Sequence, residues 1–149
     1  MSLSELKILP SVPQALRTLK EAGFKLIVVT NQPDCARGIQ THEVVEAINA
    51  KLKAELPLDD IRVCYHDNDD HCLCRKPKPG LLIDAAADLQ IDLSKSFMVG
   101  DRWRDMEAGQ SAGCKTIFID YQYLERRPEQ FDVALQSLLE ASEWICKLL

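Results

Sequence analysis

Cysteine and histidine crowd into one short stretch of the chain, as Cys64-x-His66 and then, after five residues, Cys72-x-Cys74. Three thiolates and one imidazole make a complete tetrahedral set for Zn2+, and a set that leaves no position for water is structural. It would staple a loop too polar to hold itself by burial. His66 is the expected fourth ligand, because Cys-x-His and Cys-x-Cys then flank the loop as two similar pairs; His71 is the alternative. A thiol redox role for Cys72-x-Cys74 is the competing chemistry, and stoichiometric zinc that survives mild oxidant would exclude it.

Three further groups suit a phosphate. Gly100-Asp101-x-x-x-Asp105 follows an apolar run, and a carboxylate at the carboxyl end of a strand is a natural Mg2+ ligand beside a phosphorylated substrate. The same letters also arise from a turn glycine followed by a helix-capping aspartate. Thr30-Asn31 offers a hydroxyl and an amide, with turn N–H groups, to phosphoryl oxygens. Arg75-Lys76-Pro77, directly after the cysteine loop, supplies two cations that would neutralise phosphate charge. Other conspicuous residues read as structural. Cys35 is expected to be a small buried thiol, Cys114 and Cys146 core or partly exposed, His42 a surface residue and Trp103 a packing residue. Glu125-Arg126-Arg127 reads as a solvated face.

These residues need elements to hold them. Apolar spacing predicts a helix over 13–22 stopped by Gly23, and FKLIVVT a buried strand over 24–30. Thr41 is placed to cap a helix to about residue 56, and 62–65 is a short strand. Pro79 suits the first position of a helix to about 89. A strand over 96–99 is closed by Gly100, a helix over 105–112 is stopped by Gly113, and 115–119 is the next strand. Residues 120–130 read as irregular, 131–135 as a last strand, and Ser137 as the cap of a terminal helix. Such alternation predicts an α/β fold, a doubly wound parallel sheet. Its ligands bind beyond the carboxyl ends of the strands, where all three phosphate-suited groups fall.

The 149 residues are 46% hydrophobic and 28% charged, which is one globular domain spanning 1–149. With 18 basic against 23 acidic residues and net charge −5, neither nucleic acid nor an anionic membrane is the expected partner. No apolar run approaches the ~20 residues of a membrane span, and the first residues lack the features of a secretory signal. A cytoplasmic location is the expectation.

The order Thr-Asn, Cys-x-His…Cys-x-Cys-Arg-Lys-Pro, Gly-Asp-x-x-x-Asp resembles the haloacid dehalogenase superfamily of phosphatases. Within it, the chain is similar to the branch that holds heptose bisphosphate phosphatase and histidinol phosphatase and carries this zinc loop. VVTNQPDCARG, CRKPKPGLL and FMVGDRWRDMEAGQSAG look more like the heptose bisphosphate members, and the resemblance runs from about Leu6 to Trp144. It implies a HAD-like Rossmannoid fold and hydrolysis of a phosphomonoester on a phosphorylated sugar. By the same resemblance, Thr30 and Asn31 bind phosphate, Lys76 stabilises the phosphoryl group and Arg75 recognises substrate. Asp101 is the Mg2+ ligand and Asp105 its companion acid behind it, while Arg102 borders the metal. Cys64, His66, Cys72 and Cys74 hold structural zinc.

The family attacks phosphorus with the first aspartate of a D-x-D-G sequence and uses the second as general acid and base. No D-x-D-G occurs here; Asp67-Asn68-Asp69 is followed by Asp70 and lies inside the zinc loop. The resemblance therefore implies an N-terminally truncated chain without its nucleophile, weak in Mg2+ binding and poor in turnover. It also implies a sheet without its central strand, whose neighbours pair directly, accept a partner chain as in a homodimer, or leave apolar edges open. The alternatives are a non-catalytic zinc-stapled phosphate-binding relative and a histidinol-phosphate phosphatase.

Overall fold

The computed structural model describes residues 11–31, 41–65, 72, 74 and 76–149. The chain divides into two compact units, Met1–Asp70 with Ser142–Leu149, and His71–Ala141.

In the first unit, helix α1 (Ser11–Glu21) buries Ala15, Leu16 and Leu19, the stripe that its spacing predicts. Gly23 ends it at φ +99°, and the Phe24 N–H donates back to the Leu19 carbonyl. A left-handed residue closes such a cap at little cost only when it has no Cβ. Strand β1 (Ile27–Asn31) begins three residues later than predicted, because the preceding backbone is already committed. Phe24 serves the cap, the Leu26 N–H donates to Asp59 Oδ2 at 2.6 Å, and the Leu26 carbonyl accepts from the Asp59 N–H at 2.7 Å.

Helix α2 (His42–Glu55) starts where expected, with Thr41 Oγ1 accepting the Val44 N–H at 3.2 Å. Strand β2 (Asp60–Cys64) starts two residues before the predicted strand and ends one before it. It runs parallel to β1, with Ile27 opposite Asp60 and Asn31 opposite Cys64. This register brings Thr30 and the first cysteine to the same carboxyl end of the pair.

In the second unit, helix α3 (Gly80–Leu89) follows Pro79, which stands just before the helix and not inside it. Strand β3 (Phe97–Gly100), helix α4 (Trp103–Ala112), strands β4 (Lys115–Ile119) and β5 (Val133–Leu135), and helix α5 (Leu138–Lys147) complete the order. Gly113 stops α4 at φ +89°, and Ser137 Oγ accepts the Glu140 N–H at the start of α5. The sheet is parallel, in the order β3-β4-β5, and β4 at its centre buries Thr116, Ile117, Phe118 and Ile119. Helix α4 packs on β3 and β4 through Gly109, where an added Cβ would lie 2.6 Å from Met98 Cβ and 2.8 Å from Thr116 Cγ2. Backbone and sheet meet there at a distance no side chain allows.

The α/β class and the parallel pairing agree with the sequence reading. Among the described residues β1 pairs with β2, and β3 with β4. No helix of the described residues is long and apolar enough to cross a membrane.

Candidate functional site

The last residue of β3 is Gly100, and Asp101 follows it as the chain turns into α4. The turn is held by a reciprocal cap. The Asp105 N–H donates to the Arg102 carbonyl at 3.1 Å, and Asp105 Oδ2 accepts the Arg102 N–H at 3.3 Å. Helix α4 therefore begins two residues earlier than the sequence predicts.

The other oxygen of Asp105 accepts from Lys76 Nζ at 2.6 Å, and both side chains are largely out of solvent, 9% and 14% exposed. A charge pair this dry, with hydrogen bonds on both carboxylate oxygens, fixes the ammonium in place. Lys76 thus reaches the carboxyl end of β3 from the cysteine loop, although 29 residues separate it from Asp105. The loop is also tied by Lys78, whose Nζ donates to the Cys72 carbonyl at 2.7 Å.

Asp101 has a partner that sequence reasoning missed. Tyr123, from the connection between β4 and β5, donates its phenol to Asp101 Oδ2 at 2.9 Å. Burial first, then the hydrogen bond to Asp101 and its charge, raise that phenol above its ordinary value, which keeps the proton on the donor. The Arg102 guanidinium lies 4.0 Å from the centre of the Tyr123 ring and pairs with Glu125. Next to it, Trp103 has the guanidinium groups of Arg104 at 4.7 Å and Arg126 at 4.1 Å from its ring centre. Arg127 grips Asp120 through both nitrogens, at 3.2 and 2.8 Å. Glu125, Arg126 and Arg127 are exposed, as expected of a solvated face, and each also makes an ion pair there; with Asp101, Phe118, Tyr121 and Tyr123 they line a shallow surface depression.

Part of the cysteine loop falls within the described residues. Cys64 is buried at the end of β2, and Cys72 and Cys74 are half-buried. His66, Arg75 and the alternative ligand His71 lie outside the described residues, as do Cys35 and the side chain of Asn31. Thr30 is the penultimate residue of β1, opposite Val63. His42, read as a surface residue, is exposed but stacks on Tyr65 with ring centres 4.1 Å apart. Burial raises the Cys114 thiol, which leaves it protonated and inert.

A family model described as haloacid dehalogenase-like hydrolase matches residues 2–113. Over 138 residues the chain is 36% identical to the D-glycero-beta-D-manno-heptose-1,7-bisphosphate 7-phosphatase of Helicobacter pylori, which covers 89% of this chain and 79% of that protein. The protein of the same name from Yersinia pestis is 37% identical over 126 residues, 76% of this chain and 67% of that one. Among solved structures, the D,D-heptose 1,7-bisphosphate phosphatase of B. bronchiseptica, complexed with magnesium and phosphate, is similar with a TM-score of 0.85. Its sequence is 31% identical, and the match covers 99% of this chain and 88% of that one.

Proposed function

Because the chain belongs to the haloacid dehalogenase-like hydrolases, we propose that it serves the hydrolysis of a phosphomonoester on a phosphorylated sugar, with heptose 1,7-bisphosphate as the substrate. The observation that carries this reading is the Lys76–Asp105 pair at 2.6 Å, beside the Gly100-Asp101 turn at the carboxyl end of β3. An ammonium held by a dry carboxylate has little freedom to follow solvent, and is poised for phosphoryl oxygens. Thr30 Oγ1 and the Asn31 amide add neutral donors, and the Arg75 guanidinium recognises the substrate's charge.

Two metals belong to the proposal. Zn2+ is held by Cys64, His66, Cys72 and Cys74 and has a structural role, supported by the Cys-x-His and Cys-x-Cys spacing. Mg2+ is held by Asp101, whose second carboxylate oxygen accepts from no described residue. When bound, Mg2+ supplies positive charge against the phosphoryl oxygens. One carboxylate is a thin ligand set for a cation that prefers six oxygens, so binding by Asp101 alone is weak.

Residues 1–149 contain no D-x-D-G, and the proposal therefore assigns the nucleophilic aspartate to a strand outside them, which would also serve as the sheet's central strand. A second copy of the chain supplying that strand would be the dimeric equivalent. A family match that runs through both compact units supports reading 1–149 as one domain.

Phosphate release from heptose 1,7-bisphosphate tests the reading, with the chain as it is and with an apolar strand ending in D-x-D-G fused ahead of Met1. The expected result is no turnover for the first and turnover for the second, abolished by Asp101→Asn. Turnover by the unextended chain would overturn the assignment of the nucleophile. A fused protein that folds, binds zinc and releases no phosphate would overturn the function.

A further inference from the structure

We propose that Tyr123 is a positioning residue for Asp101, holding one carboxylate oxygen so that the other is presented to a divalent cation. The inference rests on the reading of Asp101 as a metal ligand and adds a residue that the motifs do not contain. Oδ2 takes the Tyr123 hydroxyl at 2.9 Å, and no other described residue donates to Asp101. A carboxylate on a flexible bond turns freely; one with a single fixed donor on one oxygen has its plane and its open lone pairs set. Metal-ligating carboxylates are held in this way, and their holders are worth about 10–100-fold in metal affinity.

What makes Tyr123 a holder, and not an incidental neighbour, is that it is held in turn. The Arg102 guanidinium carbon lies over the Tyr123 ring, 4.0 Å from its centre, and its Nη1 is paired with Glu125, two residues beyond the tyrosine. Arg102 thus clamps both ends of the segment 123–125, while its own backbone is locked in the reciprocal cap with Asp105. The clamp links the carboxylate at the end of β3 to the connection after β4, so the cation site depends on residues 22 positions further along the chain. Cation–π contact and ion pair act on the same guanidinium, and each limits the rotation that the other leaves.

The test is Mn2+ binding to the zinc-loaded chain, followed by electron paramagnetic resonance of the free ion. Tyr123→Phe keeps the ring under Arg102 and removes only the hydroxyl. It is expected to keep the zinc content and melting temperature of the wild type while weakening Mn2+ about 10-fold. Glu125→Gln, which loosens the clamp at its far end, is expected to weaken Mn2+ by a smaller factor. Asp101→Asn separates the two levels of the claim. If Asp101→Asn abolishes Mn2+ binding and Tyr123→Phe leaves it unchanged or tighter, the role of Tyr123 is overturned and the metal reading stands. If Asp101→Asn binds Mn2+ like the wild type, or the wild type binds none, the metal reading falls and the role of Tyr123 with it. A fall in affinity that tracks a fall in melting temperature across the variants would make Tyr123 a structural residue and overturn the proposal.

Discussion

Asp105 occupies the space that a side chain on residue 100 would need. A Cβ built on Gly100 would lie 2.3 Å from Asp105 Cβ and 2.5 Å from its Oδ2. The glycine of the Gly-Asp-x-x-x-Asp string is thus a seat for the second aspartate, and the string is a packing unit as well as a list of ligands.

Gly100→Ala is accordingly expected to push Asp105 off both its partners, the Arg102 N–H and Lys76. The cost combines overpacking with a disturbed buried ion pair, about 3 kcal/mol or more. Urea denaturation of the folded chain would read it, and a loss under about 1 kcal/mol would mean that the turn can relax around the methyl.

Between Lys76 and Asp105 the expectation is strong asymmetry between single and double replacement. Asp105→Leu or Lys76→Met alone leaves one charge behind in a mostly dry site, at a cost of about 3–5 kcal/mol. The double variant, with Asp105→Leu beside Lys76→Met, should recover much of that loss, because both desolvation costs vanish together. A double-mutant cycle on stability checks this; additive losses would show the pair to be uncoupled.

Asp59 gives a pH dependence with a definite sign. Burial acts to raise its pKa, but the Lys20 hydrogen bond, the Leu26 N–H and the nearby lysine charges together outweigh burial and hold it below the usual carboxylate value. A carboxyl group with a depressed folded pKa binds fewer protons folded than unfolded. Its stabilisation is therefore complete above the unfolded value of about 3.9 and is lost as pH falls through the lower folded value. Melting temperature measured down from about pH 5 should fall more steeply for the wild type than for Asp59→Asn. Parallel curves would remove Asp59 from the acid limb.

Removing zinc should loosen the Cys64–Cys74 segment before the rest. Chelator treatment, or Cys72→Ser, is expected to abolish stoichiometric zinc, lower the melting temperature and expose the loop to protease. Intact zinc in Cys72→Ser would mean that the thiol grouping is not the metal site.

Local signals were legible in the sequence where local bonds decide the structure. Thr41 caps α2 through its own hydroxyl, Gly113 stops α4 in the left-handed region, and β4 runs over the predicted residues 115–119. Boundaries shifted where a partner far along the chain takes the backbone, as Asp59 does at Leu26. The same reason hid part of the site. Asp101, Lys76 and Asp105 stand in ordered motifs, whereas Tyr123, Glu125 and Arg126 lie in a stretch with no periodicity. Their partners Asp101, Arg102 and Glu107 are 19 to 23 residues away. A solvated run of charged and aromatic residues has the same letters whether or not it pairs with distant residues, and only tertiary contact tells the two apart.

The indole of Trp103, close to the guanidinium groups of Arg104 and Arg126, has an optical consequence. Arg126 rides on the same segment as Tyr123, so any displacement of that segment strips one cation from the face of the fluorophore. The chain has only one other tryptophan, Trp144. With Trp144 replaced by phenylalanine, emission from a single native residue would follow the neighbourhood of Asp101 in real time, with no label attached.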